Sequence, residues 1–266
     1  MKFISVFDWH VLLVAALACA ATYLCLDANI AADLPTSLIA MAIVFPIVFS
    51  INAAYTRREE ALRYLGLVRA NIASIYFAHR DWVADADGSH RSRAADLGKS
   101  LYGSICEALA AEPDAMAAAR LRVREDFSRF SRSIEALREA GLSSTEVSRV
   151  NNYLNLALTD FERLRAISDY RTPGSLRAYS KVYLNIFPML YAPLYASIGQ
   201  EAGLTFGYAV AIAFALVLVG LDNIQDALEN PFDGVGVDDV SLEIETETYW
   251  LSEPDNAETR TESKLS

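Results

Sequence analysis

The sequence predicts an all-α membrane protein, with four apolar spans in two pairs around a helical polar region. Three observations lead there. The 266 residues are 53 % hydrophobic yet 21 % charged, and the two kinds are segregated into blocks instead of interleaved. Four blocks, approximately 9–26, 35–55, 182–200 and 202–221, lack Asp, Glu, Lys and Arg. Each has about the length of a helix that crosses a bilayer, roughly 20 residues. Between the pairs, no run alternates apolar and polar residues for long enough to build a sheet, while Ala, Leu, Arg and Glu, all good helix formers, dominate. The expected division is membrane helices in 1–55, a cytoplasmic helical region in 56–180, membrane helices in 181–229 and an acidic tail in 230–266.

The first block follows Lys2 and contains Ala18-Cys19-Ala20, features shared with secretory signals. Its weak preceding charge, the intruding Asp8 and the close second span favour a membrane hairpin. Trp9 and His10 at its start suit an interfacial anchor. The link to the second span holds Asp27 and Asp33 and no basic residue, and the link between the last two spans holds only Glu201. Arg57, Arg58, Arg63 and Arg69 follow the second span, while Arg171, Arg177 and Lys181 precede the third. The excess of Lys and Arg on cytoplasmic loops therefore places both chain ends and the central region in the cytoplasm of a multi-pass protein. In a bacterium that membrane is the inner one.

In the central region, a helix continuing the second span should reach about Tyr76, followed by a loop over 85–92 and a second helix over 94–111. Pro113 marks the first turn of a third, where its missing N–H does no harm. That helix should stop at Gly141, suited to the left-handed cap. Ser143-Ser144-Thr145-Glu146 has capping-box spacing and starts a fourth helix running to about Ile167. Thr172-Pro173-Gly174 interrupts the chain before the third span. Much of the formal charge of −11 lies after Leu221, which reads as a solvated, largely disordered acidic tail, with partner binding as the alternative.

Several functions are excluded. No basic stripe remains to neutralise nucleic-acid phosphates. Gly98-Lys99-Ser100 lacks the earlier glycine of a phosphate-binding loop, since Arg93 stands there. Asp85, Asp87 and Gly88 begin like a calcium loop without its later acid. His10, His79 and His90 have no zinc-binding partner at helical spacing, and Cys19, Cys25 and Cys106 follow no metal or disulfide pattern. No span carries an ionisable residue in its middle, which argues against an ion-coupled transporter. No nucleophile, metalloprotease or dinucleotide motif is present, so no enzyme and no cofactor are expected.

One constellation remains. Met41, Phe45, Phe49 and Asn52 recur at helical spacing in the second span and form one stripe. The stripe suits packing against lipid or a neighbouring helix. The functional alternative is a pore in which several copies stack apolar rings that gate by dewetting.

The segment Val48-Phe49-Ser50-Ile51-Asn52-Ala53-Ala54-Tyr55-Thr56-Arg57-Arg58-Glu59-Glu60-Ala61 resembles the end of the second helix in bacterial bestrophins. Phe49, Asn52, Tyr55 and Arg57 match that pattern, while Ser50 and Arg58 replace the usual arginine and tryptophan. Gly220-Leu221-Asp222-Asn223-Ile224, with Leu228-Glu229-Asn230-Pro231-Phe232 after it, resembles the end of the family's fourth helix. Pro188 fits a weaker pattern, and the order of spans agrees. The resemblance covers the spans well and the central region poorly. It implies a pentameric channel for chloride or similar monovalent anions, with Met41, Phe45 and Phe49 as a hydrophobic neck and the central region as a vestibule wall. Membrane lipid, the permeating ion and four further copies of the chain are then its partners. Some bacterial relatives conduct cations, and Asp27, Asp33 and Glu201 would favour cations near the outer mouth. A non-conducting membrane anchor for a helical interaction domain is the alternative from another class. Animal members bind calcium through acids after Asn-Pro-Phe. Here Asn230, Asp238 and Asp239 could form only a weak site, because Gly234, Val235, Gly236 and Val237 interrupt the acids.

Overall fold

A computed structural model describes residues 9–33, 36–84, 87–170, 174–234, 239–244 and 248–251, and among these the chain is helical with no strand. Eight helices follow in order: α1 (Trp9–Asp27), α2 (Thr36–Asp81), α3 (Ser89–Ala110), α4 (Pro113–Glu139), α5 (Ser144–Asp169), α6 (Gly174–Leu190), α7 (Ala192–Ala202) and α8 (Leu204–Glu229). A turn of 3-10 helix at Tyr249–Leu251 comes last. The chain divides into two units, 1–58 with 171–239, and 59–170 with 240–266, so that α2 contributes to both.

The first unit packs α1, α6, α7 and α8 against one another. Val11, Val14 and Ala15 of α1 meet Ala215 and Val219 of α8. Ile47 of α2 joins Leu184, Tyr191, Tyr195, Ala211 and Leu218 in a second cluster. Among the described residues, α1 and α8 are each long and apolar enough to cross a membrane. The expected third span over 182–200 is not one helix. It is divided at Tyr191 into α6, with 17 residues, and α7, with 11. Pro188 lies inside α6 and Pro193 in the first turn of α7, and each removes a backbone donor that a continuous helix would use. Tyr191 bridges the break by donating its N–H to the Phe187 carbonyl and accepting from the Leu194 and Tyr195 N–H groups.

Gly203, at φ 105°, turns the chain between α7 and α8. The two helices then approach so closely that a Cβ on Gly207 would lie 2.6 Å from the Tyr195 carbonyl oxygen and 2.9 Å from the Gly199 Cα. Only glycine fits there, because the obstructing atoms are backbone and cannot swing aside.

The second unit is a helical bundle of α3, α4 and α5 with the portion of α2 beyond Arg58. Its core includes Val68, Ile72 and Ile75 from α2, Leu101, Tyr102 and Ile105 from α3, Phe130 and Ile134 from α4, and Val150, Phe161 and Leu164 from α5. Burial of each such aliphatic or aromatic side chain is worth about 1.5–3 kcal/mol, which makes this core the main source of stability in the unit. Cys106 is buried in the same core, and burial pushes its thiol up to about 11, so it behaves as a small apolar residue.

Local signals set the helix limits. Pro113 opens α4 as expected. Gly141, at φ 96°, closes it with a pair of bonds from Gly141 N–H to the Arg138 carbonyl and from Leu142 N–H to the Leu137 carbonyl. The Ser143 hydroxyl accepts the Glu146 N–H at 3.3 Å and so caps α5. Three boundaries differ from expectation. The helix that continues the second span runs to Asp81 instead of Tyr76, and α5 runs to Asp169 instead of Ile167. The second helix starts at Ser89, inside the loop expected over 85–92, because Asp87 accepts the Ser89 N–H and Gly88 takes the left-handed conformation ahead of it. Asp85 of that loop and Thr172-Pro173 lie outside the described residues.

The acidic tail is also not wholly solvated: Val240, Thr248 and Leu251 are buried. Leu251 packs with Tyr76, Ala94 and Ala95, and its methyl groups occupy the space that a side chain at Gly98 would need. Apolar residues spaced among the acids therefore dock this stretch on the bundle.

Gly207→Ala should destabilise the first unit by about 1–3 kcal/mol, since overpacking against fixed backbone cannot relax. Thermal unfolding in detergent measures this, and Gly66→Ala, at a site with nothing within 4 Å of the added methyl, should have a smaller effect. In the second unit, His79 is buried between the Ile75 and Ser133 carbonyls, and burial lowers its pKa below the ordinary value. The unfolded chain then binds a proton that the folded chain resists, so stability is present above the ordinary histidine pKa and declines as pH falls below about 6.5. Denaturation midpoints at pH 7.5 and 5.5 should differ less in His79→Phe than in the wild type.

Candidate functional site

The candidate site is the face of α2 that its own chain leaves uncovered. On a helix of 3.6 residues per turn, positions 41, 45, 49 and 52 fall on one side and 47, 50 and 54 on the other. Ile47, Ser50 and Ala54 are buried. Phe45 and Phe49 are 61 % and 58 % exposed, with ring centroids 5.1 Å apart in an edge-to-face contact. Asn52 and Tyr55 are also exposed. Met41 belongs to α2, and its side chain lies outside the described residues. The uncovered stripe thus passes from aromatic to polar over two turns. Its rings carry no charge, so they offer no favourable contact to an ion of either sign.

Arg57 does not share this stripe. It turns toward the end of α8, where its guanidinium lies 3.6 Å from the Glu229 carboxylate and donates to the Glu229 carbonyl at 3.4 Å. The side chains are 14 % and 3 % exposed, so this is an ion pair shielded from solvent. Next along the chain, the Asn230 side-chain oxygen accepts the Phe232 N–H at 3.3 Å and Phe232 is buried, which makes Asn230-Pro231-Phe232 a closed, anchored turn. The two segments that carry the family resemblance, 172 residues apart, therefore meet through Arg57 and Glu229.

A second set of contacts escaped sequence reasoning. Asp226 of α8 accepts from Arg177 at 2.9 Å and Lys181 at 3.0 Å, both on α6. One turn earlier, the Asn185 amide donates to Asp222 at 3.0 Å. Arg177 and Lys181 read in sequence as markers of membrane orientation; their carboxylate partner lies more than 40 residues away. The only signal was the acids at 222, 226 and 229, which share a helix face.

Of the possible calcium ligands Asn230, Asp238 and Asp239, the structure describes Asn230 and Asp239. The Asn230 oxygen already accepts the Phe232 N–H, Gly234 turns the chain in the left-handed region after Asp233, and Asp238 lies outside the described residues. Among the described residues no group of three His, Cys, Asp or Glu is placed to hold a metal. In the second unit, a trough of about 380 Å³ runs between α3 and α4. Gly103, Ser100 and Ser104 open it by their small size, and its charges are largely paired, Arg122 with Glu107 and Arg129 with Asp126. Lys99 and Ser100 of the discarded phosphate-loop motif line this trough from the middle of α3, in a helical context that cannot cradle a phosphate.

No protein-family model matches the chain, and no curated protein sequence matches it. Solved structures do. Two crystal structures of single-substitution variants of a bacterial bestrophin homologue from Klebsiella pneumoniae superpose with TM-scores of 0.77 and 0.78. They are 18 % and 19 % identical to this chain, cover 91 % of it, and are themselves covered to 96 % and 98 %. The chain has the bestrophin fold. A crystal structure described only as a membrane protein variant matches equally well, at a TM-score of 0.77 and 18 % identity over 91 % of this chain and 96 % of its own. The likeness spans both units, including the central region where sequence resemblance was weakest. Within the bestrophin fold, α1 and α8 supply two apolar membrane-length helices, and α6 with α7 occupy the place of the expected third span.

Proposed function

We propose that this chain is one protomer of a passive ion channel, inserted in a membrane and assembled as a homopentamer around the uncovered face of α2. The observation that carries this reading is the exposure of Phe45 and Phe49 opposite a buried Ile47, Ser50 and Ala54. Large aromatic side chains gain little by facing water, and a ring of copies would cover them against one another and around an axis. Met41, Phe45 and Phe49 then form the neck, where dewetting of a narrow apolar constriction controls passage. Asn52 follows at the polar end of the stripe. Chloride and similar monovalent anions are the proposed cargo, on the strength of the family resemblance.

One observation favours a cation-conducting variant of the same reading. Asp33 accepts from Ser197 at 3.4 Å, which holds an acid at the same end of the first unit as the α7–α8 turn. With Asp27 and Glu201 it would raise the local cation concentration at that mouth. Selectivity is decided by experiment. Reversal of flux under opposed chloride and sodium gradients in liposomes separates the two cargoes.

Phe45→Ala and Phe49→Ala are expected to widen the neck and raise flux several-fold. Wild-type rates in both variants would remove the neck assignment, and no wild-type flux in any salt would overturn the channel. Light scattering of the detergent-solubilised protein should give a pentamer mass, whereas a monomer or dimer supports the anchor alternative. Because Gly234, Val235, Gly236 and Val237 interrupt the acids after α8, chelation with EGTA is expected to leave flux unchanged.

A further inference from the structure

We infer that Arg57 is a positioning residue for the pore: its ion pair with Glu229 fixes the rotation of α2 about its own axis, and so the aim of Phe49. The inference rests on the channel reading for its effect on conduction, but its geometry stands on α2 and α8 alone.

Among the described residues, the packed face of α2 in this unit includes Ile47, Ser50 and Ala54, two apolar side chains and one hydroxyl. Ser50 carries a buried hydroxyl with no hydrogen-bond partner among the described residues. Such a face excludes lipid and water but has little to oppose a turn of the helix, since apolar contacts are not directional. Arg57 supplies direction. One guanidinium nitrogen faces both the carboxylate and the carbonyl of Glu229, and a shielded, charge-assisted contact depends strongly on geometry. Eight residues separate Arg57 from Phe49, which on an ideal helix is about 12 Å of rise and about 80° of rotation. A rotation that carried Arg57 away from Glu229 would therefore turn Phe49 through the same angle and change its aim.

Glu229 is itself held in place. Three residues before it, Asp226 is tied to Arg177 and Lys181 of α6. Directly after it, Asn230 closes the turn that buries Phe232. The last turn of α8 is thus anchored on both sides and offers a fixed point, where an ordinary helix end would fray.

The test has two arms. In a background with Cys19, Cys25 and Cys106 changed to Ala, Phe49→Cys reports the aim of position 49 by its rate of modification with a water-soluble methanethiosulfonate. Adding Glu229→Gln should change that rate several-fold, and the charge exchange Arg57→Glu with Glu229→Arg should restore it toward the starting value. In the flux arm, Glu229→Gln should change chloride flux per pentamer several-fold without loss of pentamer, and the exchange should recover it. A merely structural role would reduce the amount of assembled protein and leave flux per pentamer and the thiol rate unchanged; that result overturns the inference. Should Glu229→Gln fail to assemble, Glu229→Asp, which retreats by one methylene, takes its place with the same two outcomes. A silent wild-type flux would sink the channel reading alone, because the thiol arm still decides how α2 is held.

Discussion

Two opposite demands fall on one helix. Along the first half of α2, Ile47, Ser50 and Ala54 must be covered by their own chain, while Phe45 and Phe49 find no cover there. A helix under those demands has a front and a back, and the rest of the first unit follows from supplying the back. Leu184, Tyr191, Tyr195, Ala211 and Leu218 provide the apolar surface. The glycine contact between α7 and α8 brings those residues to the required depth. The charges at the end of α8 then add what apolar packing lacks, a preferred orientation.

The division of labour between the units is energetic as well as spatial. The bundle of α3, α4, α5 and the later part of α2 buries large side chains in the manner of a water-soluble core, where removal from water supplies the driving force. In the first unit, helices set in a membrane would gain nothing by hiding apolar atoms from lipid. Close fit and polar contacts would carry their association instead. This accounts for the small residues at positions 199 and 207 and for the ties from Arg57, Arg177, Lys181 and Asn185.

Much of this was legible in the sequence wherever the signal was local. The limits of the first span, the start of α4 at Pro113, the glycine closure at Gly141 and the serine cap at Ser143 each depend on a few adjacent residues. The break at Tyr191 was hidden because Tyr, Pro and Ala are uncharged, and a hydropathy pattern does not distinguish a broken apolar helix from a whole one. The Arg57–Glu229 and Asp226 contacts were hidden for a different reason. Their partners are distant in sequence, and charges flanking a span serve orientation whether or not they pair. The stripe of Met41, Phe45 and Phe49 was visible as a pattern. The openness of Phe45 and Phe49 is a property of the fold, and no pattern could establish it.

The docking of Leu251 has a consequence for how the protein is made. The notch it fills is built from Ile72, Tyr76, Ala94, Ala95 and Gly98, all of which leave the ribosome long before it does. Between the notch and its plug the chain must lay down α6, α7 and α8. The notch therefore stays unfilled while α6, α7 and α8 are synthesised. The bundle's completion is a closing event of biogenesis: only a chain whose last helices have been produced can bring residue 251 back to seal the bundle.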